Sequence, residues 1–375
     1  MPGLLPDVDP DGLLEYSVVF TDRSLNHMSQ SFQGVMRDIS ESLKSVYSAD
    51  SVVVVPGGGT FAMEAVARQF CHSRKCMVIR NGFFSYRWSQ IFEAGNIPAE
   101  TEVLMARPVS DAVNAPFAPA PIDEVLQAIE RFQPDLVFAP HVETASGILL
   151  PDDYIAAVGG AVHACGGLFV LDCIASGAVW VDMSALAVDV LISAPQKGWS
   201  ASPCAGLVML SEAAGERLQQ TTSSSFAADL KKWRAIMQAY ENGGHAYHAT
   251  MPTDALTRFR GTLHETIQNG LENLRSAQFE LGDAVRDLLR RRGFESVAAP
   301  GFEAPGVVVS YTGDVGLHNG SKFAGAGLQI AAGVPLMCDE PESYRTFRLG
   351  LFGLEKLNNR ELTVKNLSDA LTRVS

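Results

Sequence analysis

The chain carries no Cys-x-x-Cys pair and no histidine cluster beside its six cysteines, Cys71, Cys76, Cys165, Cys173, Cys204 and Cys338. Without metal-ligand spacing, these read as reduced, core-filling thiols, and no metal site is expected. No apolar stretch is long enough to span a bilayer: the richest, Gly167 to Ser193, is interrupted by Asp172, Asp182 and Asp189. The start, Met1-Pro2-Gly3 followed by Asp7, Asp9 and Asp11, lacks the basic residues and apolar run of a secretion signal, so a cytoplasmic location is expected. Positive charge is scarce: 29 Lys and Arg stand against 42 Asp and Glu, a net charge of -13. That argues against a nucleic-acid or anionic-membrane partner, and any anion must be met locally by a few donors or one arginine. Neither a P-loop nor a Gly-x-Gly-x-x-Gly turn is present, and there are no internal repeats and no low-complexity linker.

What is present is an alternation. Of the 375 residues, 47% are hydrophobic, enough for two or more domains with a substantial core. Short apolar runs at Ser51–Val55, Cys76–Arg80, Val103–Ala106, Leu136–Pro140, Leu168–Asp172, Val188–Ser193 and Leu207–Leu210 read as strands. Helical patterns at Thr60–Phe70, Ser85–Ala94, Ile122–Arg131 and Pro151–Cys165 separate the earlier ones. This is an α/β pattern: a mainly parallel sheet covered on both faces. After about residue 210 it changes to a polar loop at Thr221–Ser225 and a long helical stretch at Thr253–Arg292. Apolar runs at Gly306–Tyr311 and Phe347–Leu351 and a last helix at Arg360–Arg373 follow. The expected organisation is an arm over 1–17, a large domain over 18–262 and a smaller α+β domain over 263–375.

The residues that carry chemistry cluster where these strands end. Val190-Leu-Ile192 leads through Pro195 and Gln196 to Lys197 and Gly198. A lysine at the end of a buried strand loses its proton more easily through desolvation, and a neutral lysine can form a Schiff base with a carbonyl cofactor. The alternative is a surface lysine after a strand. Asp172 closes Leu168-Phe-Val-Leu-Asp172, pointing to the crevice where ligands sit in open α/β sheets. It suits a protonated pyridine nitrogen, or equally a helix N-cap or a structural ion pair. Pro56-Gly57-Gly58-Gly59-Thr60 joins a strand to a helix, where free N–H groups favour an anion such as phosphate; a plain tight turn has the same composition. Asn81-Gly-Phe-Phe84-Ser-Tyr-Arg87 offers an aromatic for stacking on a flat ring, or for core packing. His141-Val-Glu143-Thr144-Ala-Ser146-Gly147 offers hydroxyl and imidazole groups at the same sheet edge, where a histidine can equally be structural.

In their order and spacing, these segments resemble the class V aminotransferases of the fold type I pyridoxal-phosphate enzymes, nearest the alanine–glyoxylate and serine–glyoxylate group. The resemblance runs from about Ser29 to the C-terminus. Gly57-Gly-Gly-Thr-Phe-Ala-Met-Glu64 is similar to the family's phosphate turn, and Phe84 falls at its ring-stacking aromatic. His141 to Gly147 resembles its His-x-Glu-Ser/Thr-x-x-Gly motif, and Gln196-Lys197 its Gln-Lys pair. Tyr247-His-Ala-Thr250-Met-Pro252 resembles a segment that reaches the neighbouring subunit's phosphate, and Phe347-Arg348-Leu-Gly-Leu the segment with a carboxylate-clamping arginine. The resemblance implies bound pyridoxal 5'-phosphate, contacted by Gly58, Gly59, Thr60, Phe84, Thr144, Asp172, Ile174, Gln196 and Lys197, with Tyr247 and Thr250 of a homodimer partner. It further implies that Lys197 and Asp172 are catalytic, with Lys197 as general base and acid, and that Arg348 binds the substrate carboxylate. The implied reaction moves an amino group from a small amino acid to a 2-oxo acid such as glyoxylate or pyruvate.

Three departures concern the substrate: Pro195 and Pro56 stand where serine is common, and Val18 to His27 lacks the usual Gly-Pro-Thr start. Two alternatives remain. A lyase of the cysteine desulfurase type needs a mobile nucleophilic cysteine, for which Cys338 in the loop Gly333-Val-Pro-Leu-Met-Cys338 is the candidate. In such enzymes a histidine precedes the lysine, where this chain has Gln196. A non-catalytic member binding the cofactor or a metabolite is the other, against which the Asp172/Lys197 pair speaks.

Overall fold

The computed structural model describes residues 5–374. Residues 1–4 of the expected arm lie outside the described residues, and 5–17 form neither helix nor strand. The chain then enters a helix that the sequence reading missed, α1 (Gln30–Tyr47). Ser29 caps it by accepting from the Phe32 N–H, and Phe32, Val35, Met36, Ile39, Leu43 and Tyr47 form one buried stripe at helical spacing.

Seven strands build the main sheet: β1 (Ser51–Pro56), β2 (Lys75–Arg80), β3 (Glu100–Met105), β4 (Leu136–Pro140), β5 (Leu168–Asp172), β6 (Val190–Ser193) and β7 (Ala205–Leu210). Their order is β1-β7-β6-β5-β4-β2-β3, and all run parallel except β7, which is antiparallel to both neighbours. Every residue of β4, β5, β6 and β7 is buried. Both faces are therefore covered, which is why these strands read as unbroken apolar runs. β3 begins earlier than expected because its first residues, Glu100 and Thr101, are exposed at the sheet edge and break the apolar signal. β6 begins two residues later than expected, because Asp189 turns its carboxylate to the Phe169 N–H at 2.8 Å and the His163 ring at 2.8 Å.

The connecting helices α2 (Gly59–Phe70), α3 (Phe83–Gly95), α4 (Ile122–Phe132) and α5 (Asp152–Ala164) fall within a residue or two of expectation. Two more, α6 (Glu212–Gln220) and α7 (Leu230–Glu241), were not foreseen; Ser211 and Asp229 cap them. The expected long helix is two, α8 (Thr253–Gln268) and α9 (Leu271–Arg291). The break falls at Gly270, whose φ of 83° is left-handed, a conformation open to glycine that ends a helix.

Beyond α9 lies a three-stranded antiparallel sheet of β8 (Val307–Tyr311), β10 (Thr346–Gly350) and, on its far edge, β9 (Ala331–Ala332). The last long helix (Arg360–Val374) packs on α9. One hydrophobic cluster lies about the large sheet and ends at Leu263 in α8. A second joins α9, β10 and the last helix, and a third, with Val142, Ile148, Val307, Tyr311 and Cys338, bridges the two sheets. Among the described residues no helix is long and apolar enough to cross a membrane.

Candidate active site

The parallel register fixes where the strands stop. Asp172 lies opposite Pro140 on one side and Ile192 on the other, so β4, β5 and β6 end together. Their following loops, with those after β1 and β2, open onto one edge of the sheet, at the point where helical connections diverge.

Asp172 is 8% exposed and accepts one hydrogen bond, from the Ile174 N–H at 2.9 Å. Burial pushes its carboxyl up to about 7; Glu143 adds to the rise, while the Ile174 N–H and Arg87 oppose it. A buried carboxylate in this state gains from a neighbouring cationic N–H, so it fits a protonated ring nitrogen. Lys197 is half-buried in the turn after β6, with Nζ 5.2 Å from the Phe352 ring centroid. Burial lowers its pKa, and the like charges of Arg348 and Arg87 lower it further. Its loop is closed by the Ala201 N–H donating to the Pro195 carbonyl at 3.0 Å. A Cβ on Gly198 would come within 2.1 Å of the Gly177 carbonyl oxygen, so the residue after the lysine has room only for glycine. The Leu354 N–H donates to Ser200 Oγ at 2.9 Å, tying this loop to the C-terminal part of the chain.

The glycine turn after β1 starts α2 with Gly58 as N-cap and no side-chain acceptor for the first N–H groups. Ile174 packs against it so closely that a Cβ on Gly59 would lie 2.4 Å from the Ile174 Cδ1. Uncapped N–H groups at a helix start fit a phosphate. The Gln196 Oε1 is buried without a hydrogen-bond partner, a further polar atom suited to a ligand. Thr144 is half-buried on the loop after β4. Phe84, in the first turn of α3, has two guanidinium carbons against its ring, that of Arg87 at 4.6 Å and that of Arg348 at 5.4 Å from the centroid. Arg348 stands on β10, where its Nε donates to the Ala332 carbonyl at 2.8 Å. Burial lowers its pKa and Arg87 adds to that; Glu143 and Tyr344 oppose.

Two residues quoted within sequence motifs acquire roles only here. Glu143 is fully buried and accepts from the Phe84 N–H at 3.2 Å, the Ser85 N–H at 2.8 Å, the Ser85 hydroxyl at 2.7 Å and the Ala145 N–H at 2.9 Å. It thus locks the start of α3, and with it Phe84, onto the loop after β4. Arg87 donates to the Thr60 Oγ1 at 3.0 Å. His141, by contrast, is buried, with Nδ1 2.7 Å from the Ser176 Oγ; burial, then Arg275, lowers it to about 3, so it stays neutral.

Tyr247 and Thr250 stand apart. Their hydroxyls are 3.1 Å from each other, Tyr247 is 54% exposed, and its ring contacts His27 at 5.4 Å between centroids. Cys338 is buried, and its Sγ donates to the Arg80 carbonyl at 3.5 Å. Burial first, then Glu143 and Glu340, pushes its thiol up to about 12. Its loop is held by Glu340, which accepts from the Leu336, Met337 and Cys338 N–H groups.

A mixed, mostly parallel seven-stranded sheet with a buried Asp at one strand end and a lysine after the next defines the fold type I architecture. No family model matches the chain. Its sequence is 27% identical over 361 residues to an alanine–glyoxylate aminotransferase of Callithrix jacchus, covering 92% of this chain and 82% of that one. It is 28% identical over 358 residues to a 2-aminoethylphosphonate–pyruvate transaminase of Paraburkholderia phymatum, covering 94% and 90%. The solved structure of an alanine–glyoxylate aminotransferase from Nostoc sp. superposes with a TM-score of 0.78 at 22% identity, over 93% of this chain and 88% of that one, which speaks for the fold. These sequence relatives are aminotransferases, and the solved neighbours share the fold type I architecture of the pyridoxal-phosphate aminotransferases, which this chain resembles.

Proposed function

We propose that this chain is a pyridoxal-phosphate-dependent aminotransferase moving an amino group from a small amino acid to glyoxylate or pyruvate. The observation that carries it is that two adjacent parallel strands deliver, at one sheet edge, a buried aspartate whose pKa burial raises to about 7 and a half-buried lysine whose pKa burial lowers. When bound, the cofactor supplies an aldehyde carbonyl and an electron-withdrawing ring.

The protein's own groups do the rest. The Lys197 amine, its pKa lowered by burial and two arginines, would bond to the aldehyde and, once released, would carry the proton from the substrate α-carbon to the cofactor's carbonyl carbon across the nitrogen. Asp172 holds the proton at the ring nitrogen. Phe84 stacks on the ring, Thr144, Ile174 and Gln196 border it, and Gly58, Gly59 and Thr60 hold the phosphate. Arg348, with its terminal nitrogens free beyond the Nε bond to Ala332, binds the substrate carboxylate in a fork. Tyr247 and Thr250 complete the phosphate site of a second copy in a homodimer; their exposure supports this. The active unit divides into a large domain over 18–262 and a smaller one over 263–375, and works in the cytoplasm, where its six free thiols stay reduced.

The desulfurase alternative needs a mobile thiolate. Cys338 is buried in a loop pinned by three backbone hydrogen bonds to Glu340, with its thiol pushed up to about 12, which disfavours it. The decisive experiment follows the visible spectrum of the holoenzyme as alanine, serine, 2-aminoethylphosphonate and cysteine are added singly. Conversion to the amine form of the cofactor by one of the first three supports amino transfer. Sulfide release from cysteine, or no response to any donor, overturns it.

A further inference from the structure

Arg87 is a cation whose one part in the proposed reaction is to help lower the Lys197 pKa. The chain carries a net charge of -13, yet three cations, Lys197, Arg87 and Arg348, bear on one another here. Among the described residues no carboxylate forms an ion pair with Arg87; its recorded contacts are the Thr60 Oγ1 at 3.0 Å and the Phe84 ring at 4.6 Å. A half-buried guanidinium with no carboxylate at ion-pair distance points to an anion that is not part of the chain.

The charges say which anion. Alanine, glyoxylate and pyruvate each carry one carboxylate, so a single cation, Arg348, suffices for these substrates that name the relatives. The cofactor's phosphate ester carries about -1.5 to -2. The uncapped start of α2 offers about half a positive charge, and the turn there, Gly57-Gly58-Gly59-Thr60, has no charged side chain. About one charge or more is missing at that spot. Arg87 reaches it from α3, bonded to the hydroxyl of the second residue of α2. The Arg87 and Arg348 guanidiniums both lie against the Phe84 ring, at 4.6 Å and 5.4 Å from its centroid.

We propose that Arg87 is the charged ligand of the cofactor phosphate, acting beside Thr60, and that it sets cofactor affinity rather than substrate choice. The proposal rests on the aminotransferase reading above.

The test measures binding of pyridoxal 5'-phosphate and of pyridoxal, which lacks the phosphate, to cofactor-free wild type, Arg87→Gln and Arg87→Lys. Circular dichroism checks their folding. Arg87→Gln weakens pyridoxal 5'-phosphate roughly 10- to 100-fold, the worth of one or two charge-assisted hydrogen bonds, and leaves pyridoxal binding within about 3-fold by the same reasoning. Arg87→Lys, which keeps the charge and loses the fork, recovers part of the loss. The phosphorus resonance of the bound cofactor shifts in Arg87→Gln. Equal cofactor affinity in wild type and Arg87→Gln overturns the proposal, as does a rise in donor KM, at saturating cofactor, larger than the loss of cofactor affinity. A wild type that prefers pyridoxal 5'-phosphate no more than pyridoxal overturns the underlying reading, which separates the two failures.

Discussion

The edge of the main sheet and the segment around Tyr247 hold residues expected at one site, yet they are built differently. At the edge, Asp172, Glu143 and His141 are buried, and the Lys197 turn is closed by backbone bonds and by a glycine that admits no side chain. Around Tyr247 the chain is open: Tyr247 is 54% exposed, its hydroxyl bonds only to Thr250, and Phe226 nearby in sequence is 78% exposed. The edge has the burial that shifts a pKa, and these groups of it come from one chain. The Tyr247 segment is open to solvent, as its proposed place in a second copy's site requires. Substitutions at the edge should therefore act at any protein concentration, and those at the segment should act through assembly.

The largest effect expected is from Lys197→Ala, which lowers amino transfer by roughly 10⁴-fold, the upper end for a proton-transfer group, in single-turnover measurements at any protein concentration. Full activity in that variant would break the comparison at its root. Next, Glu143→Gln replaces an acceptor of four hydrogen bonds with an amide that cannot accept them all. It costs about 1–3 kcal/mol of stability, the penalty of leaving a buried donor unpaired, read from denaturant midpoints, and it loosens cofactor binding through Phe84. Arg348→Gln raises the donor KM by roughly 10- to 100-fold. It also removes a positive neighbour of Lys197. Without that charge the ammonium form is less disfavoured, so the lysine pKa rises. The pH profile of Lys197 labelling by an amine reagent, measured on cofactor-free protein, then moves to higher pH; a shift downward contradicts the electrostatic account. The smallest effect is from Tyr247→Phe: a loss of about 1 kcal/mol of cofactor affinity, one neutral hydrogen bond. It is visible in the assembled protein and absent on dilution to monomer. The same loss in a monomer would place Tyr247 in its own chain's site.

Much of the large sheet was legible because its strands are buried on both faces. Leu136–Pro140 and Leu168–Asp172 need no partner to be recognised: burial on both faces demands apolar residues at every position but the last of the second, Asp172. The edge strand at Glu100 was less legible because solvent relaxes that demand. α1 went unread although Phe32, Val35, Met36, Ile39 and Leu43 mark its buried face. Its helical spacing and the Ser29 cap are its signals, but it precedes the first strand and so lies outside the strand–helix alternation. The merging of α8 with α9 ignored Gly270, a glycine after an asparagine, where a left-handed residue stops a helix.

By itself the sequence determined which groups stand at the strand ends: Asp172 closing an apolar run, Lys197 after the next, glycines before a helix. Periodicity and strand termination are local, and neighbouring residues specify them. Only the tertiary structure decided what those groups meet. It brings Arg87 to Thr60 across 27 positions and Glu143 to Ser85 across 58. It sets two guanidiniums on one phenylalanine and buries Cys338, which pushes its thiol up to about 12. Charge state and hydrogen-bond partners depend on burial and on neighbours distant in sequence. A carboxylate, a lysine and two arginines become a site only when the sheet and its helices exclude water from around them.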